Sequence, residues 1–71
     1  MIRVVVVDDS ALFRSVMAAL LGRDPEMEVV ATAADGRQGV EMVLRHRPDV
    51  VTMDVNMPVM NGYEAVEQIM A

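Results

Sequence analysis

The stretch that decides the fold is IRVVVVDDS at residues 2–10, where a run of β-branched residues ends in two adjacent carboxylates. Only Arg3 interrupts the apolar run. A continuous apolar run, rather than an alternating one, is typical of a parallel strand that is covered on both faces. Similar runs at residues 29–33 and 50–53 predict two further strands of the same kind.

A first helix is predicted between the first two runs, where apolar residues recur with helical spacing. The stripe consists of Leu12, Phe13, Val16, Met17, Leu20 and Leu21. Asp9 or Ser10 can cap the start of this helix, and Gly22 suits its end.

A second helix is predicted from near Gly36, with Asp35 as its cap, to a point before Pro48. Its apolar stripe consists of Val40, Val43 and Leu44. A third helix is predicted to start at Asn61, which has Glu64 three residues later, as in a capping box. The order β-α-β-α-β-α favours an α/β fold with a parallel sheet and right-handed crossovers.

Composition narrows the possible functions. The 71 residues carry 11 acidic side chains against six Arg and no Lys, for a net charge of −5. Such a chain suits neither the phosphate backbone of nucleic acids nor an anionic membrane, and no apolar run approaches the roughly 18 residues of a membrane span. The absence of cysteine excludes disulfides and thiolate chemistry within the chain. These features predict a cytoplasmic, soluble protein without nucleic-acid or membrane partners.

Three carboxylates follow the predicted strands at the sheet edge where α/β proteins bind ligands. Asp8 and Asp9 end the first run, and Asp54 ends the third. If these strands are neighbours, the three acids converge, which is unfavourable unless a cation neutralises them. Such oxygen ligands suit Mg²⁺, and a carboxylate there could attack phosphorus to form an aspartyl phosphate. The plainer alternative is that Asp9 only caps a helix and Asp54 only ends a strand.

The motifs around these acids resemble the receiver domain of two-component response regulators. They are VDDS at residues 7–10, DVNMP at 54–58 and MNG at 60–62. Longer stretches resemble the receiver of chemotaxis protein-glutamate methylesterases, at residues 7–14, 29–33 and 48–55. The resemblance spans the whole chain but only part of the family domain. It implies a truncated doubly wound, flavodoxin-like fold in which residues 1–71 form the first three βα units, with parallel strands in the order 2-1-3.

The resemblance also implies a role for each acid. Asp54 matches the phosphoacceptor, which takes a phosphoryl group from a sensor histidine kinase. Asp9 matches a direct Mg²⁺ ligand, and Asp8 matches an acid that holds the ion through water. Asn56 matches the residue whose backbone carbonyl coordinates Mg²⁺ beside Asp54. A receiver also uses a Ser or Thr after its fourth strand and a Lys after its fifth. These two positions have no counterpart in the 71 residues. We therefore expect metal binding to survive better than phosphoryl transfer.

Two other functions remain open. The third strand is apolar and uncharged up to Asp54, so two copies could pair there into a homodimer without catalytic activity. A phosphatase of the haloacid dehalogenase type also uses a strand-end Asp nucleophile, but it needs Asp-x-Asp on its first strand, whereas residues 54–56 read Asp-Val-Asn after the third. No Gly-x-Ser-x-Gly esterase motif is present in the chain. Arg14 and Arg37 could meet phosphate or a partner, and we interpret them as solvated side chains.

Overall fold

The computed structural model describes residues 1–53 and 67–70. Along the chain lie β1 (Ile2–Val7), α1 (Ala11–Leu21), β2 (Met27–Ala33), α2 (Gly36–His46) and β3 (Val50–Met53). Residues 67–70 are helical, within the predicted third helix. The predicted capping box at Asn61 and Glu64 lies outside the described residues. Within the described ranges, no helix is long and apolar enough to cross a membrane.

The sheet has the predicted topology. Its three strands are parallel and lie in the order β2-β1-β3. After β1 the chain adds β2 on one side of β1, and it then crosses the sheet to add β3 on the other side. Right-handed crossovers in these two opposite directions put α1 and α2 on opposite faces of the sheet. Since β1 has a strand on each side and a helix over each face, its four consecutive valines, Val4 to Val7, are at most 2% exposed.

The face that carries α2 is closely packed. Val5, Val7 and Ala33 are buried there, and Met42 of α2 packs against them. A Cβ built on Gly39 would lie only 2.9 Å from Cγ2 of Val7. The absence of a side chain at Gly39 therefore allows α2 to lie directly on the central strand.

The ends of α2 follow the predicted pattern. Its cap is Asp35, whose Oδ1 accepts the backbone N–H of Gln38 at 2.9 Å. In return, Oε1 of Gln38 accepts the backbone N–H of Ala34 at 3.0 Å, so two otherwise unpaired donors are satisfied. The helix ends at Arg47, which has a left-handed backbone with φ of 47°. Leu44, which the spacing assigned to the apolar stripe, is exposed.

The helix α1 is packed less deeply than its sequence pattern predicts. It begins at Ser10, whose hydroxyl accepts the backbone N–H of Phe13 at 3.1 Å, and it ends at Gly22. None of its side chains is fully buried. Four of the six stripe residues are exposed, namely Leu12, Phe13, Val16 and Leu20. The helical period of the stripe therefore matches the prediction, while most of its side chains face solvent.

Arg3 connects the start of β1 to the segment between α2 and β3. Its Nη1 donates to the carbonyl of His46 at 2.6 Å, at the end of α2 where a positive charge is favourable. Its backbone N–H donates to Oδ2 of Asp49 at 2.9 Å, and the Asp49 N–H donates back to the Arg3 carbonyl at 2.8 Å. Because Asp49 directly precedes β3, these bonds set where β3 starts beside β1.

We predict that Gly39→Ala destabilises the chain, although Ala is the better helix former by about 1 kcal/mol. The added Cβ meets both methyl groups of the buried Val7, at 2.9 and 3.0 Å, and overpacking of this kind costs about 1–3 kcal/mol. Urea unfolding followed by circular dichroism measures the change. Glu41→Ala, at an exposed position of the same helix, is the control and should change stability by less than about 0.5 kcal/mol. A Gly39→Ala chain more stable than wild type would contradict this close contact.

Candidate functional site

The carboxyl ends of β1 and β3 lie side by side. Val7 and Met53, the last residues of these strands, are register partners. In the sequence Val7 is followed by Asp8, and Met53 is followed by Asp54. Asp54 and Asn56 lie outside the described residues, so their roles stay predictions.

Asp8 is the buried acid of this edge. It extends β1 by one residue, because its backbone N–H donates to the carbonyl of Ala33 at 3.0 Å. The residue is only 9% exposed, and its Oδ1 accepts the backbone N–H of Ser10 at 2.9 Å. A carboxylate taken out of water is costly unless it is hydrogen-bonded, so the turn into α1 offsets part of the cost of burying Asp8.

Asp9 is the exposed acid of the pair. The cap of α1 is Ser10, so the alternative in which Asp9 serves only as a helix cap is wrong. A buried and an exposed carboxylate therefore follow the same strand in immediate succession. Both carboxylates are hard oxygen donors, but Asp9 is more exposed to solvent than Asp8.

A cleft of about 310 Å³ opens beside Asp8. Its walls come from β1, α1 and β3, and they are apolar apart from Asp8 and Thr52; the lining residues are Val7, Asp8, Phe13, Met17, Thr52 and Met53. The cleft lies between α1 and the carboxyl ends of β1 and β3. It leaves Asp8 at the boundary between an apolar surface and the polar edge of the sheet.

The chemistry of the described acids fits Mg²⁺. This ion takes hard oxygen ligands and commonly uses one or two carboxylates together with waters and phosphate oxygens. Asp8 and Asp9 supply two such carboxylates. Residues 1–53 and 67–70 contain no group of three acidic, His or Cys side chains that could hold a metal. The further predicted ligands, Asp54 and Asn56, lie between these two ranges.

Arg14 is a residue of this edge that the sequence pattern did not reveal. It was predicted to be solvated, but it is half-buried, and its Nη1 donates to the backbone carbonyl of Asp8 at 2.6 Å. The spacing along the sequence could have revealed this contact. Arg14 follows the cap Ser10 by four residues, which places both residues on one side of the first turn of α1. Arg37 is exposed, as interpreted from the sequence.

Comparison with known proteins relates the whole chain to one family. The model of the response regulator receiver domain matches residues 4–71. A protein-glutamate methylesterase/protein-glutamine glutaminase of Methanococcus maripaludis is 54% identical over 70 residues, which are 99% of this chain and 19% of that protein. The chain thus spans about a fifth of the length of the curated relatives it matches.

Solved structures match the fold described above. The response regulator domain of Thermotoga maritima CheB matches with a TM-score of 0.96 and 48% identity, over 99% of this chain and 52% of that chain. A chain of the CheX-CheY-BeF3-Mg+2 complex from Borrelia burgdorferi matches with a TM-score of 0.83 and 32% identity, over 97% of this chain and 52% of that chain. In both comparisons this chain corresponds to about half of the matched structure.

We predict that Asp8→Asn leaves the stability of the metal-free chain unchanged or higher. The amide oxygen keeps the bond from the Ser10 N–H, while one negative charge beside Asp9 is removed. Asp8→Ala removes the acceptor and should cost about 1–3 kcal/mol. Thermal unfolding in the presence of EDTA compares the two variants. An equal loss in both would mean that the charge of Asp8 itself stabilises the fold, against its interpretation as a binding group.

Proposed function

The chain belongs to the response regulator receiver family, and from this we propose that it binds Mg²⁺ and accepts a phosphoryl group at Asp54. The observation that carries the proposal is the register between Val7 and Met53, because Asp8 and Asp54 directly follow these residues in the sequence. Neighbouring parallel strands are about 4.8 Å apart. Acids that follow two such strands are close enough to share one ion.

We assign the roles at the metal as follows. Asp9, which is exposed, binds the ion directly. Asp8, which is buried and already accepts a bond from the Ser10 N–H, holds the ion through water. Asp54 and the backbone carbonyl of Asn56 supply the remaining protein ligands. The matched Borrelia burgdorferi structure is a CheX-CheY-BeF3-Mg+2 complex, which supports the same ion here.

The proposed reaction is a phosphoryl transfer to a carboxylate. Receiver domains accept phosphoryl groups from sensor histidine kinases, so the donor is a phosphohistidine. A carboxylate oxygen of Asp54 attacks phosphorus, the bond from phosphorus to the imidazole nitrogen breaks, and an acyl phosphate forms at Asp54. When bound, Mg²⁺ supplies positive charge that balances the acids and the phosphoryl oxygens. Asp8 and Asp9 therefore hold this cation at the site before the phosphohistidine binds.

We further propose that residues 1–71 are the first three βα units of a receiver of the CheB type, and that this receiver acts in the cytoplasm. The likeness to CheB supports this assignment. The methylesterase activity in the relatives' names belongs to those longer proteins. Since the 71 residues contain no Lys, no ammonium group of this kind from the chain can stabilise the transferring phosphoryl group.

We predict that the chain reacts with acetyl phosphate in the presence of Mg²⁺, but at least roughly 10²–10³-fold more slowly than a complete receiver, because the loss of even one electrostatic contact to the transition state has about this effect. Intact mass spectrometry should show the gain of one phosphoryl group, and hydroxylamine should remove it as expected for an acyl phosphate. Circular dichroism verifies that the chain is folded.

Asp54→Asn is the matched control and should gain no phosphoryl group. Omission of Mg²⁺ from the wild-type reaction should have the same effect. A mass gain that persists in Asp54→Asn would refute Asp54 as the acceptor. No gain in a folded wild-type chain that still binds Mg²⁺ would refute acceptance by these 71 residues alone.

A second candidate function is self-association through β3. Among the described residues β3 pairs only with β1, so its other side is an open edge, and Val50 at its start is exposed. Two copies related by a two-fold axis could join their β3 strands antiparallel into one six-stranded sheet. The exposed apolar stripe of α1 indicates that the chain has more apolar surface than its own strands cover.

We predict that the chain is dimeric in sedimentation velocity at micromolar concentration, and that Val50→Lys shifts it to the monomer, because a charged side chain on an edge strand opposes pairing. Thr32→Lys, at an exposed position of β2 on the opposite edge, is the control and should remain dimeric. A folded wild-type monomer at high concentration would rule out this candidate.

A further inference from the structure

The backbone carbonyl of Asp8 has an unusual partner. The ladder between β1 and β2 ends with the pair Val7 and Ala33, so this carbonyl lies beyond the last strand pair. A part-buried carbonyl needs another donor. That donor is the guanidinium of Arg14, whose Nη1 lies 2.6 Å from the Asp8 oxygen.

This carbonyl belongs to the peptide group that joins the two acids. A peptide group is planar, so a bond that holds its oxygen also holds the direction in which the chain enters Asp9. On the other side of the same turn, the Ser10 N–H holds Oδ1 of Asp8 at 2.9 Å. Arg14 thus holds the main chain of the turn that contains Asp8 and Asp9, and Ser10 holds the side chain of Asp8.

We propose that Arg14 is a positioning residue for the Mg²⁺ site: it orients the Asp8–Asp9 peptide so that both carboxylates face one ion. The proposal rests on the function proposed above, since it concerns the same ion. Arg14 also brings a positive charge to a turn with two negative ones, in a chain whose net charge is −5. This charge reduces the repulsion between the acids while no ion is bound.

Positioning and charge have opposite effects on Mg²⁺ affinity, so they can be separated. If Arg14 acted only through its charge, its removal would strengthen cation binding. If it positions the acids, its removal weakens binding by about 10–100-fold, the usual effect of losing a group that orients metal ligands. Arg14→Lys retains the charge and a donor, so binding in that variant should stay within about threefold of wild type.

The test is an NMR titration of the 71-residue chain with Mg²⁺. Arg14→Met should weaken binding 10–100-fold, and the amide signal of Asp9 should shift even without metal, because its nitrogen belongs to the same peptide group. Arg23→Met removes an equal charge beyond the far end of α1, so its affinity should match wild type. If circular dichroism shows that Arg14→Met is unfolded, Arg14→Gln, neutral and shorter, repeats the comparison.

The outcomes separate the two proposals. If wild type binds Mg²⁺ and Arg14→Met binds it equally or more tightly, the positioning role is refuted and the metal site remains. An equal weakening in Arg23→Met also refutes it, because the loss of affinity would then not depend on the bond to the Asp8 carbonyl. If wild type itself shows no Mg²⁺-dependent shifts at Asp8 and Asp9, the proposed function fails for this chain, and the role of Arg14 fails with it.

Discussion

The structure depends on the burial of β1 from every side. Four consecutive valines are almost fully excluded from water, which requires a strand on each side and cover on both faces. This burial contributes roughly 1.5–3 kcal/mol for each valine side chain relative to exposure. It also places the two acids that follow the valines at the carboxyl edge of the sheet, where the winding direction of the chain reverses.

The helices cover the two faces of the sheet to different extents. On one face, Gly39 lets α2 come within contact distance of Val7, and Met42 completes the cover. On the other face, α1 leaves much of its apolar stripe in solvent and an open cleft beside Asp8. This asymmetry leaves the buried Asp8 beside an open cleft. The open side of β3 has a different origin, because among the described strands β3 is last in the order β2-β1-β3.

The polar edge is organised by local bonds rather than by ion pairs among the described residues. Asp8 is held through Ser10 at its side chain and through Arg14 at its carbonyl, while Ser10 also caps α1. One short turn therefore starts a helix and satisfies a buried carboxylate. Asp9 is exposed to solvent beside it, in a position suited to a hydrated cation.

The sequence by itself determined the α/β class, the three strands, both described helices and the cap at Asp35, since these depend on local periodicity and side-chain hydrogen bonding. For the first helix it left Asp9 and Ser10 as alternative caps, and the structure decided for Ser10. It also indicated Asp8 and Asp9 as strand-end acids, while the strand order was expected only from the family resemblance. Tertiary structure alone decided the depth at which α1 packs, the exposure of Leu44 and the partner of Arg14. These features depend on how much surface distant strands offer and on which carbonyl a ladder leaves unpaired. Neither quantity is local, so neither is encoded in the spacing of residues along the chain.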